Sequence, residues 1–331
     1  MSTLTYKEAG VNIRGADHWV DTIKGILKGH GEDKIIGGLG GFNGMMRLSG
    51  DQLIAGCCDG VGTKVEIARA TGIYDGLGQD LVAMNVNDLV TNGARPLFFL
   101  DYIACGALHE DVMAAIVASV VRACEYCGCI LLGGETAQMP GVYGPESFDL
   151  AGFAVGEIKE SEVLDGSTVK EGDIIIGLHS SGIHSNGYTL VRTALADEIA
   201  NGLDAEGPVK GETLGQTLMT PTRLYPPQAM AAAKTGKVKA MAHITGSGLE
   251  GNINRVIPAP CVCELSYDWP RPAIFDLIAS KGVSEAEMRN VFNLGIGYVL
   301  IASPEDEASV MAAMTAIGEK PRRVGRVVRK A

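Results

Sequence analysis

Aromatic residues make up only 5% of this chain, and its 44 glycines outnumber its 7 phenylalanines, 9 tyrosines and 2 tryptophans together. A core with few large rings must close on small and branched side chains. So many glycines point to tight turns and to backbone that approaches ligands closely. No run of about 18 uncharged apolar residues occurs, so no membrane-spanning helix is expected. The first fifteen residues are charged and lack an apolar segment, which argues against a secretory signal. Positive charge is in deficit, with 28 Lys and Arg against 39 Asp and Glu and a net charge of −11. That excludes a broad nucleic-acid or anionic-membrane surface, though a few local cations and backbone N–H groups would suffice for a phosphate site. No Walker sequence is present, so any bound nucleotide would not sit on a P-loop. The expected location is the cytoplasm, where the eight cysteines stay reduced. Cys124-x-x-Cys127 followed by Cys129 lacks the second matching pair of a structural zinc site, and the cysteines read as small buried hydrophobes.

What is present is a repeated theme of a strand ending in glycines beside an acid, a hydroxyl or a histidine. Its first instance is Asp59-Gly60-Val61-Gly62-Thr63-Lys64, after the strand-like run Gln52 to Cys58 and before the helix-like run Val65 to Ala70. Gly60 and Gly62 allow a sharp turn, Asp59 offers a hard oxygen ligand of the kind Mg²⁺ takes, and Lys64 offers a point charge for phosphate. The competing reading is a tight turn with a solvated Asp and Lys. Upstream, Gly37 to Gly44 holds too many glycines for a stable helix or central strand. It reads equally as a linker or as a flap over a phosphate tail.

Gly78 to Gly93 reads as a helix with Asp80, Met84 and Asp88 on one face and Asn87 beside it. Carboxylates on an apolar helix either flank it in water or bind a cation. Gly133-Gly134-Glu135 ends another strand-like run, and Asp101 lies within the strand Pro96 to Cys105. Asp59, Asp80, Asp88 and Glu135 are therefore the expected metal ligands, clustered at one sheet. The chain turns polar between Ser161 and Gly172, which divides it into residues 1–167 and 168–331. In the second part, His184-Ser185-Asn186-Gly187 follows a strand and opens a helix, an arrangement suited to anions. His243-Ile244-Thr245-Gly246-Ser247 repeats it.

Taken in order, Tyr6-Lys-x-Ala-Gly-Val11, Gly37-Gly-Leu-Gly-Gly-Phe42, Asp59-Gly-Val-Gly-Thr-Lys64, Asp80-Leu-Val-Ala-Met84, Val86-Asn-Asp-Leu89, Pro96-Leu-Phe-Phe-Leu-Asp-Tyr102, Gly133-Gly-Glu-Thr-Ala137, His184-Ser-Asn-Gly-Tyr188 and His243-Ile-Thr-Gly246 resemble the aminoimidazole ribonucleotide synthetase (phosphoribosylformylglycinamidine cyclo-ligase) family. The resemblance runs from the N-terminus to about Gly297. Cys58 stands where the family usually has Thr, Gln138 where it has Glu, and Ser247 where it has Gly, so fine ligand geometry is what these positions bear on.

The resemblance implies two α/β domains of the α+β kind, each a mostly antiparallel sheet with helices packed on it, and a homodimer joined through the first domains. It implies Mg²⁺ and ATP as co-substrate. The reaction it implies is closure of formylglycinamidine ribonucleotide to 5-aminoimidazole ribonucleotide with release of ADP and phosphate, in purine biosynthesis. On this reading Asp59, Asp80, Asp88 and Glu135 hold Mg²⁺, and Lys64 contacts phosphate. Gly38, Gly40 and Gly41 belong to the flap; Gly60, Gly62, Thr63, Ser185, Asn186 and Thr245 bind ATP or substrate. His184 or His243 assists proton transfer.

Overall fold

The computed structural model describes residues 4–31, 33–37 and 40–330. Its first half runs α1 (Ile13–Ile26), β1 (Ile35–Ile36), β2 (Gly44–Ser49), β3 (Gln52–Gly60), α2 (Lys64–Thr71), α3 (Leu77–Leu89), β4 (Arg95–Cys105), α4 (Glu110–Cys127), β5 (Ile130–Gln138) and β6 (Phe148–Lys159). These strands form one six-stranded sheet in the order β1-β2-β3-β6-β4-β5. The second half runs β7 (Ile174–His179), α5 (Tyr188–Ala194), α6 (Ala196–Asn201), α7 (Leu214–Leu218), α8 (Pro226–Lys234), β8 (Val238–His243), α9 (Gly248–Ile253), β9 (Cys261–Leu265), α10 (Ala273–Ser280), α11 (Glu285–Val291), β10 (Ile296–Ala302), α12 (Glu307–Ala316) and β11 (Arg322–Arg329). Its five-stranded sheet has the order β8-β10-β7-β11-β9. Within the two sheets every described strand pairing is antiparallel except β4 with β5, which α4 connects as a parallel crossover.

The two sheets differ in how their faces are used. Every residue of β10 is buried, because helices cover the second sheet's centre on both sides. The first sheet has α3 and α4 on one face only. Gly78 makes that packing possible: a Cβ there would lie 2.3 Å from the Ile116 carbonyl oxygen of α4. The other face leaves Met46, Leu48, Tyr102 and Phe153 exposed, with Ile130 and Leu132 on the edge strand β5.

Several elements differ from their sequence readings. The first helix begins at Ile13, capped by the Asn12 side chain on Gly15 N–H at 3.1 Å, and Asp17 lies inside it. Gly133-Gly134-Glu135 does not end a strand. It lies within β5, in register with Leu100, Asp101 and Tyr102, because a register shift after Phe99 and Leu131 carries the glycines along β4. The expected long helix from Tyr188 breaks at Leu195 into α5 and α6. The stretch Thr220 to Tyr225 is not helical; α8 starts at Pro226, with prolines at its first positions, where the missing N–H costs nothing. The N-terminal segment reaches the second half: Leu4 bridges to Val283, and Tyr6 N–H donates to Glu287 Oε1 at 2.6 Å.

Candidate active site

Where the two halves meet, the turn after β3 faces the turn after β7 across a cleft of about 490 Å³. Asp59, Gly60, Gly62 and Thr63 line it from one side, Ser185 and Asn186 from the other. The β3 turn is shaped by its glycines. Gly62 has φ +73°, and a Cβ on Gly60 would lie 2.8 Å from the Leu150 carbonyl oxygen. Buried Asn85 of α3 grips Asp59 on both sides, accepting from its N–H at 2.9 Å and donating to its carbonyl at 3.1 Å. The halves are tied across the cleft by Ser185 Oγ donating to the Val61 carbonyl at 2.7 Å and by the Thr63 and Thr189 hydroxyls at 3.0 Å. Asn186 Nδ2 lies 3.5 Å from Met84 Sδ.

The polar face of α3 docks on the second half one residue at a time, and this corrects part of the expected site. Lys64 is fully buried and spends its ammonium on Asp80 Oδ1 at 2.9 Å and on the carbonyls of His184 at 3.1 Å and Thr220 at 2.8 Å. Asp80 is equally buried and accepts from Thr222 N–H and Oγ at 2.7 and 2.6 Å. Burial pushes Lys64 down and Asp80 up, and each partner's charge opposes its neighbour's shift. Neither group faces the cleft, so Lys64 is not a phosphate contact here and Asp80 is not a cation ligand. Together they are an ion pair that joins the halves.

His184 also departs from its expected place. It is 1% exposed, has φ +71°, and its Nε2 accepts from Ser181 N–H at 3.2 Å. Burial, then the nearby His243, Lys64 and Arg223 charges, hold it well below the usual imidazole range. It is a neutral wall residue rather than a proton carrier in the cleft.

His243, fully buried, bridges Asp88 and Asn87. Its Nδ1 is 2.8 Å from Asp88 Oδ1 and its Nε2 is 3.3 Å from Asn87 Nδ2. Because Asn87 Nδ2 is a donor, the network places the ring proton on Nδ1, toward the carboxylate. His243 thereby orients Asp88, whose carboxylate keeps some exposure at 15%. Thr245 donates to Asn252 Oδ1 at 3.0 Å, a structural role. Glu135 does not join Asp59 and Asp88. It is in register with Tyr102 and Ala151, whereas Asp59 is in register with Gly152 and Asp101; adjacent residues of a strand point to opposite faces. The carbonyls of Gly40 and Gly41 accept from Arg255, and Gly38 lies outside the described residues.

Of the four expected ligands, Asp59 lines the cleft and feels the charge of Asp88. Among the described residues, no group of three or more His, Cys, Asp and Glu side chains is arranged to hold a metal. Residues 40–158 match the model of the AIR synthase related protein, N-terminal domain, and residues 170–331 match that of its C-terminal domain. The chain belongs to the AIR synthase related family. It is 45% identical over 329 residues to a protein of Burkholderia lata named phosphoribosylformylglycinamidine cyclo-ligase, covering 98% of this chain and 93% of that one. A Myxococcus xanthus protein of the same name is 46% identical over 330 residues, covering 98% and 95%. Solved structures with the same fold include the thiamine-monophosphate kinase of Stenotrophomonas maltophilia, with a TM-score of 0.64, 16% identity and 90% of each chain covered. The hydrogenase maturation protein HypE in complex with ATP also matches, with a TM-score of 0.63, 18% identity and 99% and 90% covered.

Sequence reading of this AIR synthase related chain missed three residues at the site. Asn85 was findable, because an asparagine in the middle of a buried helix must have partners. Asp149 lines the cleft beside Gly60, but an acid on an alternating strand reads as solvated. Arg255 closely follows the His243–Ser247 motif, but its partners Gly40 and Gly41 lie in the other half of the chain and nothing local marks the contact.

Asp59 carries the electrostatic signature of the site. Desolvation by the surrounding cleft walls, reinforced by the Asp88 charge, raises its carboxyl to about 6, although the residue is exposed to solvent. A raised carboxyl stabilises the fold when protonated, and that contribution is lost as pH rises through about 6. A cation bound there requires the ionised form. The stabilisation of the chain by Mg²⁺-ATP, read as a thermal shift, is therefore expected to be large at pH 7.5 and to fall away below about 6. Asp59→Asn should flatten the profile. An equal shift at pH 5 and pH 7.5 in the unsubstituted chain would exclude Asp59 from cation binding.

Proposed function

We propose that the chain is an ATP-dependent cyclo-ligase that converts formylglycinamidine ribonucleotide to 5-aminoimidazole ribonucleotide in purine biosynthesis, releasing ADP and phosphate. The observation that carries this is near-full-length similarity, at 45%, to proteins named for that activity. The cleft fits it. An amide oxygen leaves poorly; transfer of the ATP γ-phosphoryl group to it gives an iminophosphate, and attack by the amidine nitrogen on that carbon expels phosphate. Such transfers depend on positioning and charge neutralisation more than on covalent help from the protein.

In this reading the turn Gly60 to Thr63 and the facing Ser185 and Asn186 position the phosphates and the substrate. Asp59 and Asp88 would hold Mg²⁺; one or two carboxylates plus phosphate oxygens are its usual protein-side ligand set. Their fit rests on Asp59's carboxyl, raised first by burial and further by the Asp88 charge, both of which a bound cation would offset. The ion would supply neutralisation of phosphate charge. His243 orients Asp88, Asn85 fixes the Asp59 main chain, and the Lys64–Asp80 pair holds the two sides of the cleft in register. The exposed Met46, Leu48, Tyr102 and Phe153 on the uncovered sheet face support a homodimer joined through the first halves. A cytoplasmic enzyme on small nucleotide substrates agrees with the acidic charge and with the fact that no helix among the described residues is long and apolar enough to cross a membrane.

The test is ADP release with Mg²⁺-ATP, with and without formylglycinamidine ribonucleotide, while following the aminoimidazole product. One ADP per product establishes the cyclo-ligase. ADP without that product would indicate a kinase on the same fold, and absence of ADP would indicate a binding protein.

A further inference from the structure

We propose that Arg255 is a positioning residue that fastens the glycine-rich strap Gly40–Asn43 to the second half of the molecule, on the reading of the chain as an ATP-dependent enzyme. The strap is held differently at its two ends. At one end Asn43 Nδ2 donates to the carbonyls of Asp88 at 2.9 Å and Leu89 at 3.1 Å, both in the last turn of α3, the first of them shared with Thr91 Oγ at 2.8 Å. Asn43 Oδ1 accepts from Asn92 at 2.8 Å, and the neighbouring Phe42 is buried. At the other end Arg255 Nη2 donates to the carbonyls of Gly41 at 2.8 Å and Gly40 at 3.2 Å, and its guanidinium lies 4.2 Å from the centre of the Phe42 ring.

Arg255 is itself tied to the site. Its Nη1 is 3.5 Å from Asn252 Oδ1, which also accepts from Thr245 Oγ at 3.0 Å. Thr245 stands two residues beyond His243, and His243 bonds Asp88, whose carbonyl anchors Asn43. The strap thus closes a ring of contacts around the Asp88–His243 pair, with one partner in each half of the chain.

The two anchorages differ in strength. Phe42 is buried and Asn43 half-buried, whereas Arg255 and Gly40 are exposed. Water competes for the exposed Arg255 contacts but not for those of the shielded Phe42 and Asn43, so the Arg255 end releases first while the Asn43 end stays. Gly40 adopts φ +105°, open essentially to glycine alone, which suits a segment that must turn both carbonyls toward one cation. Gly40, Gly41 and Arg255 also border a cavity of about 1350 Å³ between α1, α9 and α11, so release has room to occur. Lysine should replace this arginine only in part, since Nη2 alone serves both carbonyls but only a planar guanidinium also stacks on the Phe42 ring and reaches Asn252 through Nη1.

The test uses the full chain with Arg255→Gln and Arg255→Lys. Chymotrypsin cleavage after Phe42, without nucleotide, should be roughly tenfold faster in Arg255→Gln, as expected for losing charge-assisted bonds to two carbonyls. Arg255→Lys should recover only part of the protection. The KM for ATP should rise by a similar factor with a smaller loss in kcat, while the urea midpoint stays at the wild-type value. Unchanged cleavage and KM would overturn the proposal, as would a lowered urea midpoint, which would make Arg255 merely structural. If the unsubstituted chain turns over no ATP, the functional reading fails, and the cleavage rates still decide whether Arg255 fastens the strap.

Discussion

Lys64→Met is expected to destabilise the chain by roughly 3–5 kcal/mol, the cost of leaving one member of a buried ion pair without its partner. Asp80 would keep its two bonds from Thr222 but lose the ammonium beside it, and the carbonyls of His184 and Thr220 would lose a donor. The measurement is urea unfolding. Adding Asp80→Asn to Lys64→Met should recover part of the loss, because a neutral amide still accepts from Thr222 and no longer carries a buried charge. A phosphate-contacting lysine would behave oppositely, losing turnover while unfolding at the wild-type midpoint. That outcome would sink the reading of Lys64–Asp80 as the joint between the halves.

Asp88→Asn should leave the fold intact and remove ATP turnover. The substituted amide oxygen can still accept the His243 Nδ1 proton, so the contact between the halves persists. What disappears is the negative charge acting on Asp59 and, on the proposed reading, the second carboxylate of a bound Mg²⁺. Loss of a partner that only orients a metal ligand typically costs 10–100-fold, so removal of the ligand's charge should cost at least about a hundredfold. His243→Asn, which removes only the orientation of Asp88, should fall in the 10–100-fold range. The two variants are ranked by steady-state turnover and by Mg²⁺-ATP thermal shift. Unchanged turnover in Asp88→Asn removes Asp88 from the site. Equal losses in both variants would mean that His243 acts on substrate directly.

The glycine-flanked motifs were legible in the sequence because their physics is local. Gly60 and Gly62 make a turn that other residues cannot, and a strand leading to such a turn before a helix needs no distant partner to be recognised. The polar stretch between Ser161 and Gly172 was read as a boundary for a similar reason, and in the structure it lies between β6 and β7. The four acids were a different matter. Asp80 and Asp88 lie on one face of one helix, two turns apart, and no local feature separates them. What separates them is the residue of the second half opposite each one: Thr222 together with Lys64 for Asp80, and His243 for Asp88.

Glu135 shows the same limit in a strand. Two glycines and an acid look like a turn, and only pairing with β4 fixes the segment as strand and turns Glu135 to the face away from Asp59. The segment from Gly37 to Gly44 could be read equally as linker or flap, since glycine content reports freedom and not what restrains it. Asn43 and Arg255 supply the restraint, and Arg255 lies more than 200 residues beyond the strap. The sequence by itself therefore determined the kind of chemistry and the turns that present it, because turn geometry and ligand type are properties of neighbouring residues. Which charges stay available for that chemistry was decided only by the tertiary structure, because a buried charge must find a partner and the partner comes from the other half of the chain.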